Sequence, residues 1–124
     1  MPEKTETLLT RNLFQVFAER DAAKRHATIA EIWAKDGLLV DPHGRFVGHE
    51  AVEAAVGKLH QAHPDFVFTV SGPPQAFNGI GRLAWGLGLP GKPPEITGLD
   101  ILTVQDGRIA ALYVFLDAPA ATRS

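Results

Sequence analysis

Two turn signals divide the apolar second half of the chain into strands. Asn78-Gly79 and Asp106-Gly107 each combine residues that tolerate positive φ angles, which the two-residue turns of β-hairpins require. Apolar segments flank these turns at residues 66–71, 80–89, 96–105 and 108–117. This arrangement predicts a four-strand antiparallel meander.

The first half of the chain has apolar residues at helical spacing instead, as at Leu9 and Leu13. We expect helices near residues 6–20, 22–35 and 49–62. The second helix includes Trp33, and a short hairpin, 38–40 with 45–47, separates it from the third. Helices in one half and strands in the other predict an α+β fold.

Length and composition are typical of one globular domain. The 124 residues suit a single domain over 1–124 with a core over about 6–117, since domains commonly have about 100–150 residues. A net charge of −2 without a Lys/Arg cluster argues against nucleic acid as a partner. The absence of cysteine excludes disulfides and thiolate metal sites. We expect a cytoplasmic protein without a membrane partner, because no apolar run reaches the ~18 residues of a membrane span and the polar start is unlike a secretion signal.

The last two predicted strands have apolar residues on both faces. Leu99 and Ile101 alternate with Asp100 and Leu102, so they point to opposite sides of the sheet. Three helices can cover one face, but they do not obviously cover both. An exposed apolar face usually marks a partner, and we therefore expect a homodimer that packs sheet to sheet.

Asp100 interrupts the apolar segment Gly98-Leu99-Asp100-Ile101-Leu102. Aspartate is disfavoured in strands. If its strand face is the inner one, burial would raise the pKa of this carboxyl and make it a candidate functional acid. The alternative is a solvated edge position, or an acid held by backbone N–H groups.

Asp41 also has two interpretations. Asp41-Pro42-His43-Gly44 is typical of a type I turn, in which the Asp carboxylate accepts hydrogen bonds from the turn backbone. Alternatively it faces a cavity together with Asp100, since two carboxylates in one cavity can divide the roles of base and donor. His43 would then orient or relay a proton, or it is an exposed turn residue.

No metal or cofactor is expected. His60 and His63 lie three residues apart near the end of the third predicted helix, but no third ligand is evident nearby. We interpret them as a solvated helix end. The glycine pairs near residues 79–81 and 86–88 lack the spacing of a phosphate-binding loop.

Four motifs together resemble one superfamily. They are Leu39-Val40-Asp41-Pro42, Gly48-His49-Glu50-Ala51-Val52, Gly98-Leu99-Asp100-Ile101-Leu102 and Asp106-Gly107-Arg108-Ile109. From about Leu8 to Asp117 the chain resembles the nuclear-transport-factor-2-like superfamily of ketosteroid isomerases and SnoaL-like polyketide cyclases. The resemblance implies a cone-shaped, curved antiparallel sheet wrapped around the three helices, with a ligand pocket at the open end and, commonly, a dimer.

The resemblance also implies roles for the two acids. Asp41 matches the general base at the end of the first strand, and Asp100 matches the protonated donor on the penultimate strand. Those isomerases have a tyrosine hydroxyl on the first helix. At the corresponding place this chain has Leu13 or Phe14, neither of which can donate a hydrogen bond.

The first hypothesis is a cofactor-independent isomerase, cyclase or dehydratase acting on a small apolar carbonyl compound. Asp41 would remove a proton beside the carbonyl, and Asp100 would donate to the developing enolate, with His43 nearby. The expected substrate-binding residues are Leu13, Phe14, Trp85, Leu102, Val114 and Leu116. The alternative is a non-catalytic dimeric module that binds a small ligand or a partner. A deep cavity containing both carboxylates would favour the enzyme, whereas a cavity filled by aromatic side chains would favour the module.

Overall fold

A computed structural model describes residues 4–117, which form three α-helices, one π-helical segment and seven strands. The helices are α1 (Thr5–Arg11), α2 (Ala22–Ile32) and α3 (His49–Ala62), and the π-helical segment Asn12–Phe17 continues α1. The strands are β1 (Trp33–Asp41), β2 (Gly44–Val47), β3 (Val67–Val70), β4 (Gln75–Phe77), β5 (Ile80–Gly88), β6 (Ile96–Gln105) and β7 (Arg108–Leu116). The α+β class is confirmed.

The strands form one curved sheet in the order β2-β1-β7-β6-β5-β3, with β4 also paired to β5. The expectation of a fully antiparallel sheet was wrong at one position, because β1 and β7 pair in parallel. Most of the chain separates these two strands, so no tight turn forces them to run in opposite directions. The sheet is therefore mixed, and it is open, with β2 and β3 at its two ends.

Both predicted hairpin turns are confirmed. Asn78 and Gly79 have φ angles of 49° and 77°, and Asp106 and Gly107 have φ angles of 55° and 77°. Positive φ at both central positions suits the right-handed twist of the strands that each turn joins. The short strand β4, directly before the first turn, was not predicted, since three residues after a Gly-Pro-Pro segment give too little alternation to detect.

The second helix is shorter than the apolar spacing predicted. It ends at Ile32, and Trp33 begins β1. The Trp33 side chain is fully buried, and its Nε1 donates to Asn12 Oδ1 at 2.9 Å. Gly37 lies against the same ring, since a Cβ there would come 2.6 Å from Trp33 Cε3. Burial of the indole thus outweighs the helical pattern and starts the strand early.

The helices cover the concave face of the sheet, where the core lies. In the part of the chain that the structure describes, no helix is long and apolar enough to cross a membrane. The opposite face carries aromatic side chains of β7, and Tyr113 and Phe115 are 36% and 57% exposed. An apolar outer face, expected from the alternation along β6 and β7, is therefore present in the single chain.

Candidate active site

A cavity of about 500 Å³ opens on the concave face between the sheet, the π-helical segment and α3. Its walls are mostly apolar, and seven of the residues proposed from sequence line it. These are Leu13, Asp41, His43, Trp85, Asp100, Val114 and Leu116. The structure thus brings both candidate carboxylates into one cavity.

Two residues expected to bind substrate do not line this cavity. Phe14 is 41% exposed, because it follows Leu13 by one residue and so lies on a different face of the helical segment. Leu102 shares the strand face of Asp100 but is fully buried in the core. Its register partner Gly81 lies against Leu9 of α1, so α1 covers this end of the sheet. Neither side chain is therefore part of the cavity wall.

Asp100 lies in the buried interior of the cavity, with 3% of its surface exposed. Trp85 Nε1 donates to Asp100 Oδ1 at 2.8 Å. Burial raises the pKa of Asp100 from its ordinary 3.8 to about 7, and the hydrogen bond from Trp85, which favours the ionised form, limits the rise. The pocket interpretation of Asp100 is therefore supported over a solvated edge position.

Gly98 explains how the indole reaches the carboxylate. Trp85 on β5 is the register partner of Gly98 on β6, and Asp100 lies two residues further along the same face. A Cβ at residue 98 would overlap the Trp85 ring. No role was predicted for Gly98 from the sequence, although a glycine inside a strand often marks a place where another group lies close to the backbone.

Asp41 both accepts the hydrogen bond of the turn and lines the cavity. It is the last residue of β1, and its Oδ1 accepts the backbone N–H of His43 at 2.7 Å, as expected for the turn. The same side chain lines the cavity, as does the exposed ring of His43. The turn hydrogen bond thus holds the carboxylate in place at the cavity wall.

Strand register gives the relationship between the two acids. Val40 lies beside Tyr113 in the parallel pairing, so Asp41 comes next to Val114. Val114 is in turn the register partner of Asp100. Since neighbouring strands lie about 4.8 Å apart, the backbones at Asp41 and Asp100 are about 10 Å apart. Their side chains flank Val114 in one cavity, with room for a ligand between them.

Helix α3 supplies cavity residues that the sequence analysis missed. Ala55, Lys58, Leu59 and Ala62 line the cavity from one face of the helix. The spacing of Ala55, Leu59 and Ala62 could have indicated this face, because the apolar stripe continues past Leu59. Lys58 has no ion-pair partner among residues 4–117.

A smaller side pocket of about 190 Å³ adjoins the main cavity. The residues common to both are Phe17, Leu59, His63, Phe68 and Leu87. The charged or titratable residues of the side pocket are Arg20, His60 and His63. This pocket was not predicted from the sequence.

The prediction that His60 is solvated was wrong. His60 Nε2 lies 2.6 Å from the Phe17 carbonyl, and His60 Nδ1 lies 3.2 Å from Arg25 Nη1. Since a guanidinium only donates, Nδ1 accepts and Nε2 carries the proton. Arg25 is buried and also donates to both Glu53 carboxylate oxygens, at 2.9 and 2.8 Å from Nε. Burial lowers the pKa of His60.

His63 stacks on Phe66, with ring centroids 4.5 Å apart. His63 lines both cavities, whereas the sequence predicted that it lies at a solvated helix end. Within residues 4–117 no three His, Asp or Glu side chains form a group that could hold a metal ion.

Two features define the class of this protein. Helices cover the concave face of a curved sheet, and a ligand-sized apolar cavity contains two acids. The SnoaL-like domain family model matches residues 10–112. This chain therefore belongs to the SnoaL-like domain family.

Solved structures share the fold. A protein of Agrobacterium tumefaciens strain C58, assigned as an isomerase of the SnoaL-like family, has a TM-score of 0.85 and 25% identity over 93% of this chain and 100% of its own. A protein of Kribbella flavida, assigned as a ketosteroid isomerase, has a TM-score of 0.70 and 20% identity over 95% of this chain and 81% of its own. A protein of Jannaschia sp. CCS1, assigned as a SnoaL-like polyketide cyclase, has a TM-score of 0.74 and 15% identity over 94% of this chain and 89% of its own. The last two show the fold alone.

A curated relative matches a shorter stretch. The DNA mismatch repair protein MutL of Bradyrhizobium sp. strain ORS 278 is 34% identical over an alignment of 86 residues, which covers 60% of this chain. The match spans 13% of the length of that protein. So small a share does not carry the activity of the mismatch repair protein to this chain.

Proposed function

We propose that this protein is a cofactor-independent enzyme that moves a proton within a small, mostly apolar carbonyl compound. The supporting observation is that Asp41 and Asp100 flank Val114 in one apolar cavity of about 500 Å³. Such a volume suits a small organic ligand. The isomerase assignment of the Agrobacterium tumefaciens structure agrees with this class of reaction.

The two acids have different environments, and these support different roles. Asp100 is buried, so its neutral form is favoured. Its Oδ1 accepts from Trp85, which leaves Oδ2 to carry the proton and donate to the substrate carbonyl oxygen. Asp41 lies at the end of its strand and is partly exposed, which suits an ionised base.

The reaction then has two steps. The Asp41 carboxylate takes a proton from the carbon beside the carbonyl, and the electron pair of that C–H bond forms an enolate. Asp100 stabilises the enolate oxygen by its hydrogen bond. Asp41 returns the proton to another carbon of the conjugated system, which gives the isomer. Alternatively, the enolate carbon attacks a second carbonyl carbon of the same molecule, and Asp41 returns the proton to the resulting alkoxide oxygen, which gives a ring.

The first test follows solvent deuterium exchange into 2-tetralone, an apolar bicyclic ketone with acidic protons beside its carbonyl, by NMR in D₂O. We expect the protein to accelerate exchange. Asp41→Asn removes the base and should lower the rate by about 10²–10⁴-fold. Asp100→Ala removes the donor and should lower the rate by about 10²–10³-fold, whereas Asp100→Asn retains an N–H donor and should lose less.

Asp36→Asn is the matched control, because Asp36 is an exposed carboxylate on the same strand as Asp41 and does not line the cavity. Its exchange rate should equal that of the wild type. Equal rates for Asp41→Asn and wild type would contradict the assigned base. A larger loss in Asp100→Asn than in Asp41→Asn would exchange the two roles.

A non-catalytic binding module is the second candidate, and Leu13 favours it. Leu13 lines the cavity. It is one of the two residues, with Phe14, that the resemblance matches to the donor tyrosine of the ketosteroid isomerases, and its side chain cannot donate. Binding of 2-naphthol, whose hydroxyl resembles an enol, would be measured by its fluorescence. Binding without any acceleration of exchange would favour the module over the enzyme.

We also propose that two copies pack through the outer face of the sheet. Tyr113 and Phe115 are exposed there, and their register partners Ile101 and Leu99 extend the apolar surface. An antiparallel, self-complementary face of this kind suits a two-fold dimer. Light scattering should give a dimer for the wild type and a monomer for Phe115→Glu. The control is Phe14→Glu, at an exposed residue of the π-helical segment outside the sheet. A monomeric wild type at micromolar concentration would contradict the proposal.

A further inference from the structure

The side pocket differs from the main cavity in its charge. Its ten lining residues include Arg20, His60 and His63 but no Asp or Glu. The main cavity, in contrast, contains Asp41 and Asp100. The two spaces adjoin, so one ligand can occupy both, with a different chemical group in each.

Arg20 is fixed at the wall of this pocket. Its Nη2 donates to the carbonyl of His63 at 3.2 Å and to the carbonyl of Phe66 at 2.6 Å. These bonds use the two N–H groups of Nη2 and leave those of Nε and Nη1 without a partner among residues 4–117. No carboxylate of the described residues forms an ion pair with Arg20. The guanidinium therefore has both its charge and donors available for a ligand.

The two histidines of the pocket are not equivalent. Both ring nitrogens of His60 are occupied, by Phe17 and by Arg25. His63 stacks on Phe66 through its ring face, and its ring nitrogens have no hydrogen-bond partner within the described part of the chain. A ligand in the side pocket can therefore contact Arg20 and His63, while His60 forms part of the supporting wall.

We infer that the side pocket binds a carboxylate of the substrate through Arg20 and His63, while the apolar, carbonyl-bearing part of the same molecule occupies the main cavity. This inference rests on the proposed function for the placement of the carbonyl. It narrows the substrate class from apolar carbonyl compounds to keto acids of two-part shape. A hydrogen bond between charged groups is stronger than one between neutral groups. Because Arg20 is an exposed residue, water weakens its ion pair with the carboxylate, so we expect a modest preference for the acid.

A carboxylate fits this pocket better than a phosphate. Arg20 is the permanent cation of the pocket, and burial lowers the pKa of His60 and so favours its neutral ring, which accepts a hydrogen bond from Arg25. One guanidinium matches a single negative charge and the two oxygens of a carboxylate. A phosphate monoester, which carries close to two charges near neutral pH, would leave charge unpaired in the pocket.

The test compares acids with their neutral isosteres. The probes are 6-hydroxy-2-naphthoic acid, its homologues with one to three methylene groups before the carboxyl, and the primary amide of each. The naphthol part is the enol mimic for the main cavity, and the methylene series samples the reach to the side pocket. Calorimetry at neutral pH should show at least one acid binding about 10-fold or more tightly than its amide.

The variants locate the source of this preference. Arg20→Gln retains donors for the two backbone carbonyls but removes the charge, and His63→Phe retains the stacked ring but removes the nitrogens. In Arg20→Gln the ratio of acid to amide affinity should fall to about one, and in His63→Phe it should fall part of the way. Arg45→Gln, an exposed arginine that lines neither cavity, is the control and should keep the wild-type ratio.

Three results would overturn the inference. The first is equal affinity of acids and amides for the wild type. The second is a preference that Lys58→Gln abolishes and Arg20→Gln does not, which would place the anion at the mouth of the main cavity. The third is tighter binding of the phosphate monoester of 6-hydroxy-2-naphthylmethanol than of any acid. The exchange of 2-tetralone, which has no anionic group, tests the proposed function separately from these outcomes.

Discussion

The indole of Trp85 lies over Gly98 and donates through Nε1 to Asp100 Oδ1 at 2.8 Å. This hydrogen bond occupies one carboxyl oxygen and leaves the other for a ligand. It also favours the ionised form of Asp100 while burial favours the neutral form. The balance of these two effects sets the protonation state of Asp100 near neutral pH.

Loss of the indole N–H should raise the pKa of Asp100 above about 7, because burial would then act without its opposing hydrogen bond. Trp85→Phe removes the donor and keeps an aromatic ring in the cavity. Carbon-13 NMR of the Asp100 carboxyl carbon through a pH titration measures the pKa directly.

Trp33→Phe is the control for this titration, since its indole donates to Asn12 instead. It should leave the pKa of Asp100 at the wild-type value. A pKa that stays at about 7 in Trp85→Phe would show that the indole does not affect the carboxyl.

The proposed roles also predict the pH dependence of catalysis. Asp100 must be protonated to donate to the enolate, and its pKa is about 7. The protein-catalysed part of kcat/KM for exchange should therefore fall as the pH rises through about 7. A catalysed rate that instead increases through the same pH would indicate that Asp100 is the base.

Much of the fold was predictable because its determinants are local. Asn78-Gly79 and Asp106-Gly107 specify their turns through positive φ angles, and both hairpins form as expected. Strand alternation also placed Asp100 on one face with Leu102, but both faces of β6 are apolar, so alternation alone did not decide that this face points inward. Local rules of this kind need no knowledge of the distant parts of the chain.

The errors at Trp33 and His60 involve contacts with residues far apart in the sequence. Trp33 leaves its helix because it packs against Asn12 and Gly37. His60 is enclosed because Arg25, which is 35 residues away, lies against it. The spacing of apolar residues shows which faces of a helix or strand are apolar, but it does not show which other element packs against each face.

Asp100 should also make the stability of the protein depend on pH. Its pKa is about 7 in the folded state and 3.8 ordinarily. Below about pH 4 the carboxyl is neutral in both states and has no effect. As the pH rises from about 4 to about 7, only the unfolded state ionises, so the free energy of unfolding decreases by at most about 4 kcal/mol.

Asp100→Asn should remove this dependence, because an amide does not titrate and its oxygen still accepts from Trp85. Urea denaturation at pH 4 and pH 8 would measure the free energy of unfolding of both proteins. The variant should gain stability relative to the wild type between these two pH values. An unchanged difference would mean that Asp100 has an ordinary pKa.

The buried Arg25 should make Glu53 important for stability. The side chains of Arg25 and Glu53 are 6% and 24% exposed, and they form an ion pair that connects α2 to α3. Glu53→Ala leaves the guanidinium buried without its carboxylate, and we expect a loss of about 3 kcal/mol in the free energy of unfolding. Urea denaturation near neutral pH measures this loss.

The matched control is Glu31→Ala, which removes a carboxylate that also pairs with an arginine, Arg11, at 2.8 Å. The Glu31 side chain is 59% exposed, so water replaces the lost partner and the denaturation midpoint should stay close to that of the wild type. A double variant, Arg25→Met with Glu53→Leu, should recover part of the stability lost in Glu53→Ala, because no buried charge then remains. Equal midpoints for Glu53→Ala and Glu31→Ala would mean that the contact between α2 and α3 does not depend on the buried ion pair. Apolar packing of the two helices would then stabilise the wall of the cavity.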